Sequence, residues 1–281
     1  MSELQWVRTR RGEVCTQGAQ VTRFWQVGGD DVLFLSRTSQ FQPGVPIRGG
    51  VPLVFPWFGD YPVGLDPERR GRPAHGFARR LPWRVVEQTE GDHGIARLMF
   101  ELRDDAATRA MWPHQFLAKL LVSFGDVLRL ELSIDNQGAE PFRFEALLHT
   151  YLRVGDVGQC AIGGLEDAWS YDKTNGNALH REGTGPLRFT GEVDRTFCGN
   201  DALCVLEDPQ LRRRITVRKE GARSTVIWNP GPVRAAKLAD LGDAWPQFVC
   251  IESGNVMDDA ITLPPGERHV FAATIECTPL R

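Results

Sequence analysis

The most constraining feature of this sequence lies at residues 128–135. There Leu128, Leu130, Leu132 and Ile134 alternate with Arg129, Glu131, Ser133 and Asp135. A period of two puts every apolar side chain on one side of an extended chain, which is the pattern of a strand with one buried face. Asn136 and Gly138 then break the run, as turn residues do. Similar short runs recur at 32–35, 95–102, 115–124, 213–219, 224–228, 248–252 and 270–276. Helical periodicity is weak by comparison. Its best stretch is 104–111, with Asp105 placed to cap the start.

Many short strands need many turns, and 18 prolines and 29 glycines supply them. No interval reads as a linker, a repeat or a low-complexity tract. The expectation is an all-β chain: a large antiparallel β-sandwich with a few short helices, built as one domain over 1–281. A chain of 281 residues can bury a sizeable core without disulfide staples.

Charge and cysteine usage narrow the function. A formal net charge of −3 and a pI near 6.1 argue against a nucleic-acid binder. They leave room for a small anion held by a local pair of arginines. Cys15, Cys160, Cys198, Cys204, Cys250 and Cys277 show neither CxxC nor other zinc-site spacing, so buried free thiols in a reducing cytoplasm are expected. No apolar run approaches a membrane span, and the first residues lack the apolar core of a signal peptide. GxGxxG, P-loop, HExxH and GxSxG patterns are absent, so no nucleotide, metal or other cofactor is expected.

Four segments carry residue types suited to chemistry. Residues 46–59, PIRGGVPLVFPWFG, place Arg48 before Gly49 and Gly50, which permit close backbone approach or positive φ. Arg48 is either an anion-binding fork or a surface arginine on a packed turn. Residues 73–80 follow a charged loop at 66–72 and set His75 four residues before Arg79. That histidine either hydrogen-bonds a ligand or is held by backbone. Residues 142–154 read as one long strand with Arg143, Glu145, Leu147, His149 and Tyr151 on one face, which is either a polar groove or a solvated outer face. The run at 248–252 ends in Glu252. It is either a desolvated general base or a rim carboxylate. Trp57, Phe58 and Trp228 fit the walls of a sugar site and fit core packing equally well. His114 reads as structural, and His93, His180 and His269 receive no role.

In their order, these segments resemble the aldose 1-epimerase-like proteins, most closely the hexose-6-phosphate mutarotase branch. The matching pieces are IRGGVP (47–52) running into FPWFG (55–59), HGFAR (75–79), WPH (112–114), LHTY (148–151), YDK (171–173), WNP (228–230) and VCIE (249–252). The resemblance implies a galactose mutarotase-like sandwich. It implies interconversion of the α and β anomers of a hexose 6-phosphate, with His149 as general acid, Glu252 as general base and His75 assisting at the sugar. It further implies that Asp172 binds a sugar hydroxyl and that Arg48 and Arg79 hold the phosphate. Ala74 departs from relatives that carry a polar residue before the histidine, which bears on sugar preference. The expected protein is a cytoplasmic monomeric isomerase that acts on a small phosphorylated sugar, without nucleic acid or membrane partners. A non-catalytic carbohydrate-binding module is the alternative from another class. A carbohydrate-active lyase, hydrolase or phosphorylase is a second; a hydrolase would need a carboxylate pair, and Glu252 with Asp172 is the only candidate in the sequence.

Overall fold

The computed structural model describes residues 3–26, 29–60, 72–91 and 95–280. His93 and the 66–71 part of the charged loop lie outside them. Two large sheets dominate. The nine-stranded one runs Leu187–Arg188, Ala161–Gly163, Cys204–Asp208, Arg213–Glu220, Arg268–Pro279, Val127–Asn136, Phe116–Phe124, Ala96–Arg103, Arg84–Glu90. The eight-stranded one runs Ala178–Arg181, Trp169–Asp172, Val193–Phe197, Ser224–Asn229, Phe248–Asn255, Ala146–Leu148, Leu53–Val54, and Tyr151–Arg153 also pairs with Phe248–Asn255. The pairings within both are antiparallel, as the expected sandwich requires.

The alternation at 128–135 does what its period demands. Leu128, Leu130, Leu132 and Ile134 are buried, and they join Leu148, Ile227, Val249 and Ile251 of the other sheet in one continuous core. Asn136 ends the strand with its side chain, donating to Glu140 O and Leu263 O and accepting from Gly138 N–H, each at 2.9 Å. The short helix also forms as expected, over Ala106–Met111. The Asp105 carboxylate accepts from Thr108 N–H and the Thr108 hydroxyl accepts from Asp105 N–H, both at 2.7 Å. Among the described residues no helix is long and apolar enough to cross a membrane.

Two expected strands differ. Residues 32–35 form no ladder, because successive residues pair with different neighbours: Leu33 with Leu152, and Leu35 with Gly49. Residues 142–154 are three strands rather than one. Phe142–Phe144 pairs with Ile261–Leu263, and Ala146–Leu148 with Leu53–Val54 and Phe248–Asn255. Tyr151–Arg153 returns to Phe248–Asn255. At the breaks Glu145 N–H turns to Pro56 O and His149 N–H to Pro52 O. The two faces nevertheless hold. Phe142, Phe144, Ala146, Leu148 and Leu152 enter the main core, whereas Leu147 packs in a separate cluster with Val54, Val226 and Val256.

Candidate active site

A cavity of about 620 Å³ takes lining residues from all four of the segments singled out in the sequence: Arg48, His75, Arg79, His149 and Glu252 among them. Their placement begins with backbone. Gly50 has φ 63°, and a Cβ on it would stand 2.1 Å from Val21 O, so only glycine lets the chain that carries Arg48 lie this close to its neighbour. His75 and Gly76 both take positive φ (62° and 71°), which turns the chain sharply. His75 N–H donates to Gly59 O at 2.6 Å, and its Nδ1 accepts from Gly59 N–H at 3.2 Å. An accepting Nδ1 leaves the ring proton on Nε2.

Glu252 lies on the strand Phe248–Asn255 and His149 in the break between Ala146–Leu148 and Tyr151–Arg153, both of which pair with that strand; the two side chains are 1 % and 7 % exposed. His149 Nδ1 lies 3.3 Å from Glu252 Oε1, but the contact is not aligned as a hydrogen bond, and Glu252 Oε2 has no hydrogen-bond partner among the described residues. The imidazole is held flat by Tyr151, with ring centroids 4.8 Å apart and planes 7° from parallel, and meets Trp228 edge-on at 5.8 Å. Burial drives the Glu252 carboxyl well above the carboxylate range. Lys173 and Arg79 oppose that shift and Asp194 adds to it. Burial also drives His149 well below the usual imidazole value, helped by His75, Arg79 and Arg48. His75 is lowered in the same way, by burial and then by Arg79, Lys173 and Arg48. The neutral pair and the imidazolium–carboxylate pair differ by one proton moved across 3.3 Å.

The two arginines are held differently. Arg48 donates to Asp240 through Nε at 3.0 Å and Nη2 at 3.2 Å, and to the Tyr151 hydroxyl through Nη1 at 3.0 Å. The Tyr151 phenol and the Asp240 carboxylate keep it firmly protonated. Arg79 donates from Nη2 to Ala74 O at 2.8 Å, its Nε has no hydrogen-bond partner among the described residues, and burial lowers its pKa to about 10.

Some expected residues land elsewhere. Asp172 does not line the cavity. Its Oδ1 accepts from Thr174 N–H at 2.9 Å and from the Thr174 hydroxyl at 2.6 Å, which caps the short helix Lys173–Asn175. Trp57 is a core side chain, 4 % exposed, with Nε1 donating to Pro73 O. Phe58 and Trp228 do line the cavity. His114 packs against Trp112 and Phe142, and His269 meets the Asn255 amide at 3.1 Å. The cavity also contains Lys173 and Asp194, whose Nζ and Oδ1 are 3.7 Å apart, with Nζ 3.7 Å above the Phe58 ring. Lys173 follows Asp172 in the YDK motif, so one step along it would have found this residue. Asp194 carries no local signal; its approach depends on pairing opposite Trp228.

The wall thus joins a buried acid–base pair to a cluster of cations, a combination suited to moving a proton on an anionic ligand. A family model described as aldose 1-epimerase matches residues 6–276. The chain is 36 % identical over 238 residues to the Salmonella typhimurium "Putative glucose-6-phosphate 1-epimerase", covering 84 % of this chain and 77 % of that one. A Cenchrus ciliaris protein with the same description is 30 % identical over 275 residues, 94 % of this chain and 80 % of that one. The crystal structure of a "putative mutarotase" from Salmonella typhimurium superposes with a TM-score of 0.89 at 31 % identity, covering 99 % of this chain and 92 % of the other. A match of this extent in sequence and backbone leaves one assignment: the chain belongs to the aldose 1-epimerase family and is an isomerase.

Proposed function

We propose that this protein interconverts the α and β anomers of a hexose 6-phosphate, with glucose 6-phosphate the first candidate because relatives carry that sugar in their descriptions. The observation that carries the reading is the buried His149–Glu252 contact on the wall of a cavity that also contains Arg48 and Arg79. Mutarotation opens the hemiacetal, turns the carbonyl about the C1–C2 bond and closes the ring on the other face. Opening needs a proton delivered to the ring oxygen while another leaves the C1 hydroxyl. In this reading the imidazolium–carboxylate form of the pair reacts: His149 donates to the ring oxygen and Glu252 accepts from the hydroxyl, which leaves the pair neutral. Closure reverses both transfers and restores the pair.

The burial of His149 and Glu252 strengthens both groups' interactions with the sugar, since charge that develops beside them is weakly screened. Arg79 offers to the 6-phosphate an N–H that has no partner among the described residues, and Arg48 offers the donors that Asp240 and Tyr151 leave free. His75, with its proton on Nε2, donates to a sugar oxygen. Asp172, tied to Thr174, would have to release that contact to reach a hydroxyl, so Lys173 and Asp194 are better placed for that part.

The test is anomer exchange followed by saturation-transfer NMR on glucose 6-phosphate, glucose and galactose, with His149→Ala and Glu252→Gln. Exchange confined to the phosphorylated sugar and lost in both variants supports the reading. Exchange no faster than buffer with every sugar overturns it, and binding without turnover would then favour the carbohydrate-binding module.

A further inference from the structure

Cys250 stands two residues before Glu252 on the strand Phe248–Asn255 and so shares its face. The proposed reaction does not use it, and it is fully buried against Phe34, Tyr151, Trp228 and Phe248. One donor atom from each of His149, Cys250 and Glu252 falls within 4.8 Å of the other two, and all three residues are buried. Nitrogen, sulfur and carboxylate oxygen form a donor set for a thiophilic divalent cation such as zinc, and three protein ligands leave a fourth position free. Two of these side chains still have unused polar atoms: His149 Nδ1 and Glu252 Oε2 are buried without a hydrogen-bond partner among the described residues.

We propose that His149, Cys250 and Glu252 form an inhibitory site for a thiophilic divalent cation, which enters through the cavity and occupies the acid–base pair. Metal–ligand bonds of about 2.0–2.3 Å imply tetrahedral donor separations of about 3.3–3.8 Å, so the donors close by roughly an ångström on binding. Coordination releases two protons to solvent, one from the Cys250 thiol and the one that His149 and Glu252 hold between them. The thiolate and the carboxylate together neutralise the two positive charges of the ion. Of the cations nearby, Arg48 is paired with Asp240, and Lys173 is 3.7 Å from Asp194. Arg79 has no such counter-ion contact among the described residues and opposes the metal. A sugar and the metal compete for His149 and Glu252, so occupancy by one excludes the other. Binding stands on geometry alone; inhibition of turnover rests on the function proposed above.

Cobalt(II) is the probe. Titrated into the full chain, it should give a near-ultraviolet thiolate-to-cobalt charge-transfer band and visible bands of four-coordinate intensity, both abolished by zinc. Cys250→Ser should lose the charge-transfer band, while Cys198→Ser, which removes a partly buried thiol outside the cluster, should keep it. In the exchange assay zinc should arrest wild type reversibly, with activity restored by a chelator. Cys250→Ser should keep basal exchange and need at least about tenfold more zinc for the same inhibition, a loss that second-shell changes alone can reach. Cys250→Ala serves in the same comparison if the serine variant does not fold. Absence of the band in wild type, or an equal band in both Cys250 variants, overturns the proposal. A band without anomer exchange in any condition retires the mutarotase reading and leaves the metal site standing. Exchange with no band does the reverse.

Discussion

The Asp240 carboxylate takes two donors from the Arg48 guanidinium, Nε at 3.0 Å and Nη2 at 3.2 Å. The pair is anchored in turn: Ser36 Oγ donates to Asp240 O at 2.7 Å, and Arg48 N–H donates to Ser39 Oγ at 2.8 Å. A forked contact fixes a plane as well as a position. Under the proposed function, Asp240→Ala should therefore free the guanidinium to rotate and raise KM for glucose 6-phosphate about tenfold, the scale of one charge-assisted hydrogen bond. The value of kcat should change by less than about twofold. A fall in KM would mean that the charge of Asp240, rather than its grip, governs the phosphate.

Glu145 acts on backbone instead of on a side chain. Its Oε1 accepts from Met257 N–H at 2.7 Å and its Oε2 from Phe58 N–H at 2.9 Å, tying two cavity-lining loops together. Met257 holds φ 54° there, a conformation that needs such support. Glu145→Gln replaces one acceptor with a donor, and should lower unfolding free energy in urea by about 1–3 kcal/mol. An unchanged urea midpoint would remove this role.

The two sides of the strand Val127–Asn136 can be set against each other. Leu130 is fully buried, and Leu130→Ala should cost about 2–5 kcal/mol. Its neighbour Arg129 reaches Glu220 and Glu131 on the outer face, and Arg129→Ala should cost under about 1 kcal/mol. Paired urea titrations read both, and similar losses would contradict the burial of one face.

Lys219 supplies a pH signature away from the cavity. Burial lowers its pKa to about 8, with Nζ placed against Asn200 O and Thr225 Oγ1. In the unfolded chain a lysine titrates near about 10.4. Between these values the unfolded state binds more protons, so stability rises as pH increases from about 8 toward 10.4, and the full penalty is present below 8. The change should reach about 3 kcal/mol at most. Urea midpoints measured between about pH 7.5 and 9.5 should climb in wild type and stay flat relative to it in Lys219→Met. Parallel curves would refute the assignment.

Strand pattern was legible where one face meets the core, as at Leu128 to Ile134, because period two reports burial directly. It was misleading at 142–154, where three short strands share one alternation and only their hydrogen-bond partners change. Pairing partners leave no trace in a local pattern. His75, Arg48, Arg79, His149 and Glu252 could be read because each lies in a compact motif, and the cavity brings them together. Asp240 and Asp194 could not, since each is an isolated carboxylate positioned by distant chain. Cys250 looked like an ordinary core thiol for a related reason: zinc-site spacing is sought along the sequence, whereas His149 approaches it from a break between two neighbouring strands, a hundred residues earlier.

The strand Arg268–Pro279 lies in the interior of the nine-stranded sheet, between Val127–Asn136 and Arg213–Glu220. It is the keystone of that sheet, although every other strand of the sheet precedes it along the chain. Until it docks, both neighbours expose unpaired backbone donors and acceptors, the template on which strands of separate molecules join. Chains cut before residue 268 should therefore form intermolecular β-aggregates instead of a smaller working enzyme. Closure across more than a hundred residues should also make folding slow relative to helical proteins of this size.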